Sequence, residues 1–503
     1  MPRSVKNIIV FLVALIAIGV SIYQLEDARR GIESIDVVVG KTPATLYELV
    51  DADGPVVVVA HGFAGSRQLM QAYSLTLAKS GYRVLAFDFE GHGRNPVPMS
   101  GDVTSIDGTT RLLVEETRRV ISTARELDEK QVGIALLGHS MATDVLIRAA
   151  LEEAEAGLPL DTLVAISMFS EAVTDTQPPS LLVINGQWEN RLRKPALQQL
   201  LLVDNNAQEG ETAIRDDVVR RVVAAPYVEH VSVLYSSYAL KETLTWMNSV
   251  FDRNSESAVE AIGGWILLLL AGIVLLFKPL VYFLPAESTA KTTLPLRSYL
   301  VAVFLPMVVT PLLALLPDFG FLPVLVADYL MLHLALFGLL QLLIVRTAND
   351  IRPAISNGVF RALAGAILLI VWGIVVFGFA LDRYAASFLP TAGRLSIVGV
   401  LSLGTVLFML SDTLVTQGGH SVLWRRLLAR FALIASLLAA AFIDPDRLIF
   451  LLLILPVLLL FYMVHGLMGR WTARRCGPWA AGIGLGVCLA WALGVSFPLF
   501  DVV

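Results

Sequence analysis

The chain has 503 residues, 56% of them hydrophobic and only 16% charged, with a mean hydropathy of +0.69. A soluble globular domain carries about 25% charged residues, so this composition excludes a single soluble globule and a disordered or fibrous chain. The net charge of −5 gives no case for nucleic-acid binding and conceals an asymmetry: residues 24–257 hold 33 acidic and 21 basic groups, the remainder 10 and 17.

In chain order, residues 8–23 form an almost unbroken apolar run behind Arg3 and Lys6. A cleaved signal peptide ends in small residues. This run leaves through Ile22, Tyr23, Gln24 and Leu25, so residues 1–25 read as an uncleaved N-terminal signal anchor. From about residue 26 to 257 short Val/Ile/Leu runs alternate with amphipathic stretches. Strands are expected at 56–60, 83–87, 133–137, 162–167, 180–185 and 221–225, and helices at 67–80, 109–127, 141–154 and 240–251. Such alternation predicts a mostly parallel sheet with helices on both faces, its chemistry at the carboxyl ends of the strands.

Residues 258–503 read as an all-α membrane domain. Eight further spans are expected near 261–277, 299–316, 321–345, 362–381, 395–410, 427–443, 448–468 and 479–500, each near the roughly 20 residues that cross a bilayer core. With the N-terminus in the cytoplasm, the inner segments carry 14 Lys and Arg, Lys291 and Arg352 among them, and the short outer loops three: Arg383, Arg394 and Arg447. That bias predicts an inner-membrane protein with residues 26–257 outside. Arg29 and Arg30, just beyond the first span, argue for the inverted arrangement. Asp328 and His333 lie in one span, a costly place for ionisable groups, but about 140° apart around a helix. Asp412, His420 and His465 read as interfacial, and Pro306, Pro311, Pro323 and Pro456 as kinks. Cys476 and Cys488 offer no disulfide framework.

Three motifs fall at the expected strand ends. Gly138–His139–Ser140–Met141–Ala142 follows the third strand and precedes a helix; a Ser in such a sharp turn projects its hydroxyl above the sheet. Small residues are needed two positions either side of it, and Gly138 and Ala142 supply them, although Gly is usual at the second. His61–Gly62–Phe63–Ala64–Gly65–Ser66 follows the first strand, where a Gly-rich turn lets backbone approach a substrate carbonyl. The Phe63 and Met141 N–H groups are the candidate oxyanion donors. Phe87–Asp88–Phe89–Glu90–Gly91–His92–Gly93–Arg94–Asn95 follows the second strand.

Together, H-G, D-x-x-G-H-G and G-x-S-x-A resemble the α/β-hydrolase superfamily, in its esterase, lipase and serine-aminopeptidase-like branch, over about residues 37–251. The resemblance implies an α/β-hydrolase fold, with His61, Gly62, Asp88, Gly138 and His139 supporting the motifs. It also implies a triad in the order Ser, acid, His. Of seven histidines, His61, His92 and His139 precede the acid position and His333, His420 and His465 lie in the apolar region; His230 is left as the base. The acid falls after residues 180–185, where Glu189 stands in place of the more usual Asp, with Asp175 in reserve. Glu229 points away from its neighbour His230 in an extended loop.

The resemblance therefore implies a serine hydrolase acting on carboxylic esters, small or amphiphilic, with Ser140 as nucleophile and no cofactor or metal. A transporter or lipid-handling protein with an accessory hydrolase-like domain, and an acyltransferase, are the alternatives. The usual helical cap is missing, since only residues 168–179 separate two strands. The amphipathic stretch 195–203 is the candidate lid. The lipid bilayer is the expected partner.

Overall fold

The computed structural model describes residues 3–102, 106–255, 258–286, 294–317, 320–324, 326–348 and 355–501. Lys291 and Arg352 of the charge count, residue 325 of an expected span and the expected boundary at Ser257 lie outside them.

A long first helix, α1 (Arg3–Asp27), leads into β1 (Ile32–Val39), β2 (Thr42–Leu49), β3 (Val56–Ala60), α2 (Gln71–Lys79), β4 (Arg83–Phe87), α3 (Arg111–Leu127), β5 (Ile134–His139) and α4 (Met141–Glu155). There follow β6 (Thr162–Ile166), β7 (Ser180–Gly186), α5 (Asn190–Leu201), β8 (Thr212–Arg215), β9 (Val218–Ala225) and α6 (Ser237–Val250). Among the described residues the strands form one sheet in the order β1-β2-β4-β3-β5-β6-β7-β9-β8. The six strands from β4 to β9 are parallel; β1, β2 and β8 join antiparallel at the edges.

The run Val56–Ala60 is wholly buried because both faces of the sheet are covered. Val56, Val58 and Ala60 face α3, α4 and α5, and Val57 and Val59 face α2 and α6. The latter core runs on without a break into the C-terminal helices through Leu25, Ala28, Ile262 and Ile266.

Ten further helices follow: α7 (Gly263–Val281), α8 (Leu296–Ala314), α9 (Ala327–Ala348), α10 (Ile355–Ile370), α11 (Phe377–Tyr384), α12 (Ala392–Val415), α13 (Leu423–Ile443), the short α14 (Pro445–Leu448), α15 (Leu451–Cys476) and α16 (Pro478–Ser496). A π-helical turn, Val371–Val376, fuses α10 and α11. Nine segments among the described residues, Val5–Asp27 included, are helices long and apolar enough to cross a membrane. Small residues let their backbones touch: a Cβ on Gly404 would lie 2.2 Å from the Met331 carbonyl oxygen, and one on Gly486 2.4 Å from Val406 Cα. That welds α12 to both α9 and α16.

Several expectations are corrected. The stretch 195–203 is no lid; it lies mostly in α5, which buries Ala196 and Leu200 against the sheet. His465 is not interfacial: it is buried inside the bundle, stacked on Phe461 at 4.8 Å between ring centres. Pro323 lies ahead of α9 and kinks no helix. Asp328 and His333, by contrast, are as separate as their spacing around the helix implies: Asp328 accepts the Leu322 N–H at 3.0 Å, while His333 lies between Tyr329 and Ser436, each at 3.0 Å.

Candidate active site

Strand β5 ends at His139 and helix α4 starts at Met141, so the chain reverses direction at Ser140, held at φ 54°, ψ −119°. Such a conformation costs a non-glycine residue about 1–3 kcal/mol. Its neighbours must be small because strand and helix nearly touch: a Cβ on Gly138 would lie 2.6 Å from Leu146 Cδ1 and 3.2 Å from Ala142 Cβ. The Ala142 methyl therefore fits where a larger side chain would not.

The structure brings Ser140, His230 and Glu189 together. Ser140 Oγ lies 2.9 Å from His230 Nε2, and His230 Nδ1 lies 2.6 Å from Glu189 Oε1. The other carboxylate oxygen, Oε2, accepts the Gly186 N–H and, at 2.8 Å, the Ser167 hydroxyl. Burial pushes the Glu189 carboxyl up, but the bonds from His230, Gly186 and Ser167 together outweigh it and leave it below the usual value. Asp175 is exposed and pairs with Arg215 instead. Glu229 accepts the Val231 and Ser232 N–H groups, which holds its carboxylate on the turn after His230.

The supporting histidines are neutral spacers. His139 is buried, and its Nε2–H donates to the His230 carbonyl at 2.8 Å, fixing the loop that carries the base. Burial and the nearby His230 push it down to about 4. His61 donates from Nδ1 to the Gly62 carbonyl and accepts the Phe89 N–H at Nε2, 3.2 Å. Its Nε2 comes within 4.0 Å of Asp88, but burial depresses His61 and keeps it uncharged, so the contact is no ion pair. The charged partner of Asp88 is Arg67, with additional bonds from the Arg67 and Arg94 amides. Asp88 thereby staples the two Gly-containing loops together.

Gly62 abuts the bend: a Cβ there would lie 3.0 Å from Ser140 Cβ and from His139 Nδ1. Phe63 follows Gly62 directly after this approach, and the Met141 amide opens α4. Among the described residues neither amide has a protein acceptor. A hydroxyl on a sharp bend, bonded to an imidazole that is itself bonded to a carboxylate, can support nucleophilic acyl chemistry.

Residues 52–260 match the family model described as serine aminopeptidase, S33. This segment has the α/β-hydrolase fold. No curated protein matches the chain. Solved structures similar to it include an epoxide hydrolase from Vigna radiata (26% identity, 27% of this chain and 41% of that one, TM-score 0.22). Others are TT1662 from Thermus thermophilus (18%, 44% and 99%, TM-score 0.32) and potato (Solanum tuberosum) epoxide hydrolase I (20%, 28% and 41%, TM-score 0.22). The chain thus spans about two fifths of the epoxide hydrolases' length.

Two contributors to the hydrolase site escaped the sequence reading. Ser167, at φ 52°, follows β6 and buttresses Glu189. Glu116, fully buried in α3, accepts Thr42, Asn95 and the Glu90 N–H, and burial pushes it up to about 7. It underpins the loop of the D-x-x-G-H-G motif. On its outer side the same loop meets the helical region. Arg94 pairs with Asp382, Arg394 Nη2 donates to the Gly91 carbonyl at 2.8 Å, and the Ser387 N–H donates to Ser66 Oγ at 3.0 Å. Residues 499–501 run beside Gly91–Met99 through three backbone hydrogen bonds, Met99 N–H to Leu499 O, Leu499 N–H to Gly91 O and Asp501 N–H to Met99 O, each 2.8 Å.

Proposed function

We propose that the chain is a membrane-embedded serine hydrolase that cleaves carboxylic esters of amphiphilic, lipid-like substrates through an acyl-enzyme. The observation that carries this reading is the continuous relay from Ser140 through His230 to Glu189. His230 takes the Ser140 proton as Oγ attacks the ester carbonyl. Glu189 orients the imidazole and stabilises its cation. The Phe63 and Met141 amides hold the oxyanion, His230 returns the proton to the departing alcohol, and a water activated by His230 then releases the acid and regenerates Ser140.

The surroundings of the relay favour an amphiphile. Phe169, Trp188 and Tyr227 stand 68, 63 and 77% exposed on the loops after β6, β7 and β9. That is the sheet edge whose β3 and β4 loops meet the helical region. The Phe63 ring joins Val326, Phe450, Leu453, Ile454 and Phe497 around a narrow apolar crevice. Phe283, Leu316, Phe360 and Phe442 are exposed on the helical region, as lipid-facing side chains would be. On this reading residues 1–25 anchor, 26–257 form the hydrolase domain on the extracytoplasmic face of the inner membrane, and 258–503 are the membrane body.

The test is labelling of the detergent-solubilised full chain by a fluorophosphonate, with fatty-acid release from diacyl lipids. Labelling and release should both vanish in Ser140→Ala and labelling should fall at least 100-fold in His230→Ala. Undiminished lipid hydrolysis by Ser140→Ala sinks the proposal.

A further inference from the structure

The end of the helical region far from the hydrolase holds a cavity. Arg394, one turn into α12, touches the hydrolase loop; Asp412 lies 18 residues further along the same helix, about 27 Å at 1.5 Å per residue. Around Asp412 the ends of α12, α13 and α15 enclose a cavity of about 180 Å³, partly open to solvent. Arg426, Arg430, Arg470 and Tyr462 line it, and Asp412 is the one carboxylate among the lining residues. Three guanidinium groups face one carboxylate, an excess of two positive charges.

These arginines differ from their neighbours. At the same end Arg425 donates to the Leu294 carbonyl, Arg474 to Gly419 and Arg475 to Leu284. Arg426, Arg430 and Arg470 have no such carbonyl acceptor among the described residues, and the Nε of each is buried without a hydrogen-bond partner. Arg430 stacks over the Tyr462 ring at 4.3 Å. The Tyr462 hydroxyl is likewise buried without a partner, on a side chain 8% exposed. Buried donors of this kind are costly unless a partner satisfies them, and guanidinium forks match phosphate oxygens.

We infer that this cavity is a binding site for a phosphate ester, held by Arg426, Arg430, Arg470 and the Tyr462 hydroxyl. Asp412, a carboxylate that would repel a bare anion, accepts a hydroxyl or ammonium group beside the phosphate. A glycerol or ethanolamine phosphate, free or as a phospholipid headgroup, has that pairing. The site is independent of Ser140 and of the chemistry there.

Native mass spectrometry of the full chain in phosphate-free detergent tests it, with phosphatidylglycerol, phosphate-free diacylglycerol and glycerol 3-phosphate as probes. One phosphatidylglycerol should be retained per chain and diacylglycerol should not. Retention of glycerol 3-phosphate as well identifies a soluble phosphate ester as sufficient; retention of the lipid alone identifies a headgroup site. Arg426→Gln and Arg470→Gln should each weaken binding at least tenfold, and Arg470→Lys, which keeps the charge, several-fold. Arg475→Gln, outside the cavity and bonded to none of its lining residues, should leave binding unchanged, and fluorophosphonate labelling of Ser140 in each variant reports that the chain is folded. Binding of neither phosphate probe, or equal losses in Arg475→Gln and Arg470→Gln, overturns the inference.

Discussion

Ser167 shows how a residue with no chemistry of its own reaches the reaction. Its hydroxyl and the Gly186 amide hold Glu189 Oε2, leaving Oε1 aimed at His230. In Ser167→Ala one donor to the ionised carboxylate is lost, so the Glu189 carboxyl should rise. The acid limb of the pH–rate profile should then move to higher pH, and kcat should drop roughly tenfold, the order expected of a 1–2 kcal/mol hydrogen bond to a charged group. An unmoved profile would show that Ser167 only fills space. Glu116 makes a prediction about stability. Its folded value of about 7 lies above the unfolded 4.5, so between those limits the native state binds more protons than the unfolded state, and this contribution to stability falls as pH rises. His139, at about 4 against 6.5 unfolded, has the opposite sign: its contribution is lost as pH falls. The two therefore offset each other over much the same window. Glu116→Gln removes only the first, on the order of 3 kcal/mol across the window. Its melting temperature relative to wild type should rise steadily from pH 4.5 to 7, and a flat difference would exclude the raised carboxyl.

At the scale of elements, the loop after β4 is fastened on three sides: by Asp88 within, by Glu116 beneath and by residues 499–501 outside. Gly91 is the pivot, at φ +75°, and a Cβ there would lie 2.5 Å from the Leu499 carbonyl oxygen. Gly91→Val should cost about 1–3 kcal/mol in backbone strain and loosen the C-terminal ladder. Limited proteolysis should then remove the residues after Phe497 faster than in wild type; equal rates would show that the ladder is not what holds them. Such contacts are not legible in sequence, because residues some 400 positions apart share no local pattern. What is legible is local. The buried run Val56–Ala60, the small residues flanking Ser140 and the scarcity of histidine each constrain the structure within a few residues. For that reason the site candidates lie where strand ends were expected. The β1–β2 hairpin went unread because its first strand is largely exposed and Pro43 interrupts its second, leaving no continuous apolar signal. Ser167 and Glu116 were missed because each matters through a partner brought near only by the sheet.

At the scale of the whole molecule, the hydrolase edge and the helical region share one apolar core, and the relay opens at that edge. If the substrate arrives from a bilayer, the exposed rings on the neighbouring loops set how the domain meets the lipid surface. Aromatic side chains favour such interfaces because they combine an apolar body with a tolerance for water. Phe169, Trp188 and Tyr227 make no side-chain hydrogen bond to the relay, so their removal separates delivery from chemistry. Phe169→Ser, Trp188→Ser and Tyr227→Ser combined should raise KM for a long-chain ester in vesicles at least tenfold. A short-chain water-soluble ester should keep its kcat within about twofold, since Ser140, His230 and Glu189 are untouched. Loss of both activities in parallel would mean that the loops are needed to build the site; no change in either would mean that the rings have no part in gathering substrate. A rise in KM confined to the vesicle substrate is the outcome that ties the exposed rings to the gathering of a lipid substrate, because the chemistry at Ser140 is then unchanged.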